Sequence, residues 1–311
     1  MSKFICPVDY RSIEKPDESL QIGGATEHWV GDQNIRMAPG TELWGSPVDG
    51  NRARLINHGY RQSALGCAWQ LNDQVRIHDI DLECRHQDRG QQSQVVGFQG
   101  AMWPKDTPKP YPYECVSDAT AWLEHVGIYG RTFGLYMWGG YRNVIHAYRC
   151  RIEAGQFPVL AGGGSGDDAQ FMYLHDCDLI VDFDKLIGAG GDQGLNACGL
   201  CAQGGRVFMY GGSIRVKGGK ESERAVGAWT TKFAATPPAP KPQWPYPWPF
   251  MELHNVDCKV AGKGCTGPVF DALADVGTLR IFGGSGSGPG GRWLAKSGVQ
   301  GKAYVDGVLA T

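Results

Sequence analysis

No run of about 20 apolar residues occurs anywhere in the 311-residue sequence. The opening Met1-Ser2-Lys3-Phe4-Ile5-Cys6 also lacks the apolar stretch of a secretory leader. The expectation is a chain made in the cytosol without a signal peptide and with no membrane partner. Association with a virus particle after lysis is compatible with that origin. An excess of charge of one sign is missing too. Thirty Lys and Arg face 32 Asp and Glu, no basic block stands out, and nucleic acid is not an expected partner. Ten cysteines are too few for a disulfide scaffold in a chain of this length. The Asn-Gly and Asp-Gly pairs that mark tight hairpins are nearly absent, with only Asp49-Gly50 and Asp306-Gly307. That scarcity argues against a sandwich or a propeller.

Glycine, in contrast, is abundant. There are 46, about twice the usual ~7%, dispersed and without the three-residue period of collagen. The pattern suits many corners between short strands.

A repeat supplies those strands. In Val75-Arg76-Ile77-His78-Asp79-Ile80-Asp81-Leu82-Glu83-Cys84 the apolar positions alternate at 75 and 77, then at 80, 82 and 84. Alternation marks a half-buried strand, and the one-residue slip marks a sharp corner after which a second strand again faces inward. The slip recurs at Ile145–Ala147 before Cys150, at Met172–Leu174 before Cys177, at Val207–Met209 before Gly212 and at Met251–Leu253 before Val256, with weaker copies near Leu123 and Ile281. The second corner residue is then Asp79, His125, Arg149, Asp176, Gly211, Asn255 and Gly283. Gly, Asn, Asp and His tolerate a left-handed backbone best, and Arg149 is the exception. Successive copies lie 24 to 46 residues apart, as expected for coils with loop insertions. A third apolar segment follows each pair, for example Phe133 to Trp138 and Pro158 to Ala161.

The expected fold is therefore all-β: a single-domain right-handed parallel β-helix with three strands per coil, occupying residues 26–290. An N-terminal arm, 1–25, and a C-terminal cap, 291–311, flank it. The columns Ile77, Leu174, Met209, Leu253 and Ile80, Cys177, Gly212, Val256 are expected to stack inside. The repeat resembles the pectin-lyase-like superfamily of right-handed β-helices over roughly residues 30 to 290.

Candidate site residues come from the insertions. Loops 100–120 and 230–250 are stiffened by proline and rich in aromatics, with Trp103, Tyr111 and Tyr113 in one and Trp244, Tyr246 and Trp248 in the other. Both follow a third strand, so they should wall a groove on the third-strand face. Large aromatic surfaces suit sugars or partner proteins. Trp138 and Arg131 are further candidate ligand contacts. Between the loops lies Gly166-Asp167-Asp168, and paired carboxylates can serve as acid and base on a glycosidic bond. This string resembles the paired-Asp motif of polygalacturonase-type hydrolases. Gly190-Gly191-Asp192-Gln193-Gly194 stands where that family has a Gly-His-Gly, which makes Asp192 a third candidate, and Arg215-Val216-Lys217 resembles its Arg-Ile-Lys. The family's histidine and its Asn-Thr-Asp are missing here. For a pectate-lyase chemistry the resemblance implies a basic residue, for which Arg131, Arg142 and Lys185 are available.

The column His78, Tyr148, His175, Tyr210, His254, Phe282 reads as structural stacking rather than a metal site. Cys150 with Cys177, and Cys198 with Cys201, read as buried thiols. No cofactor is expected, calcium being the one ion the carboxylates would suit. Two functions follow. One is a structural and recognition protein, such as a spike or decoration subunit of a phage-like particle contacting a glycan or polysaccharide. The other is a polysaccharide lyase or glycoside hydrolase. The polar arm and the apolar Pro/Trp loop point to a homo-oligomer or a particle-bound subunit.

Overall fold

The computed structural model describes residues 13–24, 26–31, 35–57, 67–85, 94–99, 116–138, 142–162, 170–182, 196–218, 224–230, 249–262, 265, 269–272, 277–289 and 302–309. These form a parallel β-helix. Three sheets run along the described residues, of eleven, nine and eight strands, and each strand pairs with the strand three elements later in the chain until the C-terminal end, where Thr278–Phe282 pairs with Lys302–Val305, two elements later. Among the described strands every pairing is parallel except the last, where Lys302–Val305 turns back on Val308–Leu309. The first sheet already contains Ser19–Gly23 and still contains Lys302–Val305, so it extends past both boundaries read from the sequence. Among the described residues no helix is long and apolar enough to cross a membrane.

The alternation found in the sequence is the alternation of burial. Phe171–His175 reads half-buried, buried, half-buried, buried, half-buried along its length. The inward residues stack in register from coil to coil: Ile77 on Leu123, Leu123 on Ala147, Ala147 on Leu174, Leu174 on Met209, and Met209 on Leu253. The next column passes through Ile80, Cys177, Gly212 and Val256, joined through backbone hydrogen bonds of the residues that follow them. Together these side chains form one continuous core along the solenoid.

All seven corner residues expected to be left-handed are so, with φ between 50° and 69°. The corner keeps its hydrogen bonds. The N–H of Asp79 donates to the carbonyl of Glu124, that of His125 to Tyr148, and that of Arg149 to His175. The chain therefore turns without leaving a buried backbone donor unpaired.

The three outer faces differ in chemistry. The second sheet carries ion pairs, such as Arg54 with Asp81 at 3.4 Å and Glu83 at 3.2 Å, with the Arg54 guanidinium 4.5 Å over the Tyr129 ring. The outward side chains of the third sheet, among them Tyr136, Leu160, Cys201 and Trp229, are buried in a second apolar cluster. The outward side chains of the first sheet are mostly half-exposed rings.

Candidate functional site

Two of the outward positions on each first-sheet strand build this face. The position next to the corner gives Trp44, His78, Glu124, Tyr148, His175, Tyr210, His254 and Phe282 on successive coils. From Tyr148 to Phe282 the rings lie face to face at 4.7, 5.1, 5.0 and 4.7 Å between centroids, with planes within 22°. Trp44 and His78 stack separately at 5.7 Å. The position two residues earlier gives a second ladder, with Trp122 on His146 at 6.2 Å, His146 on Tyr173 at 5.0 Å and Tyr173 on Phe208 at 5.1 Å. The strand spacing of about 4.8 Å sets this geometry, because it lies within the range of stacked ring separations.

The ladders are mainly self-satisfied. Each interior ring has both faces covered by neighbours and shows only an edge to solvent. Open faces arise where a ladder is broken, and the corner-side ladder breaks at Glu124, between His78 and Tyr148. A pocket of about 290 Å³ lies there, lined by Glu42, Arg76, Ile77, His78, Trp122, Glu124 and Tyr148. Its charges are partly engaged. His78 Nε2 is 3.4 Å from Glu42 and its Nδ1 is 2.9 Å from Asp79. Arg149 holds Glu124 at 2.5 Å, and the Arg76 guanidinium lies 5.2 Å over the Trp122 ring.

Burial on this face shifts its titratable groups. Desolvation, and then the charge of His175, lowers the His146 imidazole below its ordinary value of 6.5. Its Nδ1 is buried with no hydrogen-bond partner, so an added proton there would be unsatisfied. Desolvation raises the phenols of Tyr173 and Tyr210, reinforced by Tyr210 at Tyr173 and by Glu252 at Tyr210. The unfolded chain binds the His146 proton more tightly than the folded one. Stability from this group is therefore complete above about pH 6.5 and is lost as pH falls below it. In His146→Phe, which keeps the stacked ring, melting temperature is expected to fall less between pH 7 and pH 5 than in the parent protein. Equal slopes would remove His146 as the source.

Most residues singled out from the sequence lie outside the described residues: Trp103, Tyr111, Tyr113, Asp167, Asp168, Lys185, Asp192, Trp244, Tyr246 and Trp248. Trp138 ends the third-sheet strand Phe133–Trp138, and its side chain also lies outside them. Arg131 is half-buried at the corner leading into that strand. Arg142 pairs with Asp118, whose carboxyl is held below its usual range by that hydrogen bond, and Lys217 is 3.7 Å from Asp182. Topology does agree on where the insertions leave: Gln94–Gln99, Phe157–Gly162 and Arg224–Thr230, which precede them, are all third-sheet strands. The described outward residues of that sheet are buried, however, and the open aromatic surface is on the first sheet instead.

Of the ring column read as stacking, Tyr148, His175, Tyr210, His254 and Phe282 are stacked on one another, whereas His78 is separated from Tyr148 by Glu124 and stacks on Trp44 instead. The second ladder, Trp122, His146, Tyr173 and Phe208, was not singled out. Its signal was present as rings on both outward positions of one strand, as in His146-Ala147-Tyr148 and Tyr173-Leu174-His175. The eight described cysteines are buried, and none of them is in a disulfide. Burial pushes the Cys84 thiol up to about 12, with Glu83 adding to it. Among the described residues no group of three His, Cys, Asp or Glu is placed to hold a metal ion.

Comparison with known proteins matches this chain to no family model, no curated protein and no solved structure. The fold assignment rests on the strand pairing, and the function on the chemistry of the faces.

Proposed function

We propose that this chain is a recognition β-helix that binds a glycan on the outer face of its first sheet, serving as a displayed subunit of a larger, phage-like particle or homo-oligomer. The observation that carries the reading is the pocket between His78 and Tyr148. It combines open aromatic surface with carboxylate acceptors, the pairing that suits the apolar face and the hydroxyl edge of a sugar. Chain order adds support. The segments holding Tyr111, Tyr113, Trp244 and Trp248 lead directly into the first-sheet strands Thr120–Glu124 and Phe250–His254.

The test is a glycan array probed with the parent protein and with Tyr148→Ala and Trp122→Ala. Each variant is expected to lose at least tenfold in affinity for the glycans the parent selects, with unchanged far-ultraviolet circular dichroism. Undiminished binding by both variants would place recognition elsewhere. Release of new reducing ends from a bound oligosaccharide would move the protein to the hydrolase class, with Glu42 and Glu124 as the carboxylates to examine.

A further inference from the structure

The break in the ladder has a defined size. Glu124 pairs in register with His78 on one side and Tyr148 on the other, so the residues that carry those rings stand two strand spacings apart, about 9.6 Å. A ring placed midway would lie about 4.8 Å from each, inside the 4.7 to 5.1 Å at which the ladder's own rings stack from Tyr148 onward. The gap therefore has the dimensions of one missing rung. Trp122 closes it on the strand side, with Arg76 laid over the Trp122 ring.

The rung residue is itself held. Glu124 is tied to Arg149, and Arg149 is the one corner residue of the seven that is not Gly, Asn, Asp or His. Its left-handed φ of 51° costs an ordinary side chain roughly 1–2 kcal/mol. All seven corners share this backbone, and a residue that tolerates it poorly, kept where its equivalents are Gly, Asn, Asp or His, points to a use for that side chain. Here the use is to anchor the Glu124 carboxylate at the pocket wall. Glu42 and Glu124 are both acceptors, and Arg76, stacked over the Trp122 ring, keeps its charge at the strand-side wall.

We infer that the pocket takes a single six-membered sugar ring as the missing rung, sandwiched between His78 and Tyr148, and that the ring is neutral or carries an amino group. Hydroxyl or ammonium donors on its edge meet Glu124 and Glu42. A uronic acid that turned its carboxylate to this edge would meet both acceptors and be repelled, and the galacturonate tetramer weighs that repulsion against the attraction of Arg76. Arg149 is a positioning residue. The inference rests on the glycan reading and narrows it to a ring class and a binding pose.

Calorimetric titration of the intact chain with tetramers of glucose, of glucosamine and of galacturonic acid tests it, using the parent, Glu124→Tyr and Glu124→Ala. The parent is expected to bind the glucose or glucosamine tetramer and to bind the galacturonate tetramer at least tenfold more weakly. Glu124→Tyr supplies the missing ring from the protein itself. Binding should fall at least a hundredfold while melting temperature rises, because the ladder becomes continuous. Glu124→Ala removes an acceptor without filling the gap, and binding should fall less than tenfold. If Glu124→Tyr binds as the parent does, the missing-rung pose is overturned while the glycan reading stands. Preference for galacturonate overturns the ring class. A lowered melting temperature in Glu124→Tyr overturns the ladder geometry. Failure of the parent to bind any of the three tetramers overturns the inference, and the array separately decides the broader reading.

Discussion

Gly212→Val is expected to stop the chain from folding, with a cost above about 4 kcal/mol, the range reached by few single substitutions. Gly212 has a φ of +81°, where a β-branched side chain is strained. A Cβ at this position would also lie 2.1 Å from the carbonyl oxygen of Cys177 and 2.7 Å from its amide nitrogen. Both atoms belong to the backbone of the preceding coil, so no rotamer change relieves the overlap. The coils would have to separate at the point where Ser213 N–H donates to the Cys177 carbonyl. Gly50 is the control. Its φ is +77° and no atom lies within 4 Å of a Cβ built there, so Gly50→Val carries the backbone strain without the collision. Soluble expression and circular dichroism of the two variants separate these costs. Equal behaviour would show that coil contact at Gly212 is not what requires glycine.

Leu174→Ala is expected to lower unfolding free energy by about 2–5 kcal/mol, the usual cost of deleting a buried leucine side chain. Leu174 is fully buried and stacks between Ala147 below and Met209 above. Ala147 is already small, so the coil has little material with which to refill the space. Leu20 makes the comparison. It stands in the same sheet on its first strand, with Leu43 as its ladder neighbour, and is 5% exposed. In a solenoid each coil is stabilised by its neighbours, so a central loss weakens two interfaces and a terminal loss weakens one. Leu20→Ala should therefore cost less than Leu174→Ala in urea titrations. Hydrogen exchange of the flanking coils would show whether the central variant opens locally before it opens globally. A Leu174→Ala cost under about 1 kcal/mol would mean that the column is not tightly packed.

The columns and corners were legible in the sequence because both are local. A strand that buries alternate residues must show alternation, and a phase slip of one residue can be absorbed only by a backbone turn. That turn was left-handed even at Arg149, whose side chain gave no hint of it. The position of the slip outweighed the residue's preference, because stacking on the coils above and below fixes the corner whatever occupies it. The thiols were legible for the same reason: Cys150 and Cys177 hold equivalent inward places on either side of one coil contact. The aromatic candidates of loops 100–120 and 230–250 rest on loop composition and the carboxylates Asp167, Asp168 and Asp192 on short motifs, and neither carries coordinates.

What the sequence determined by itself is the solenoid: three strands per coil, an inward column of aliphatic residues, and a left-handed residue at each first corner. What only the tertiary structure decided is which of the outer faces is open and that the break in its ladder borders a pocket. Alternation separates inside from outside but cannot tell one outside from another. The outward Tyr136, Leu160 and Trp229 of the third sheet are buried, while the equally apolar rings of the first sheet are half-exposed. The rung at Glu124 is legible once the corners are aligned, since Glu124 precedes His125 as His78 precedes Asp79 and Tyr148 precedes Arg149. That it borders an open pocket is not. Only the stacking of coils, about 4.8 Å apart, and the packing around them show that the rung without a ring faces open space lined by Trp122 and Arg76.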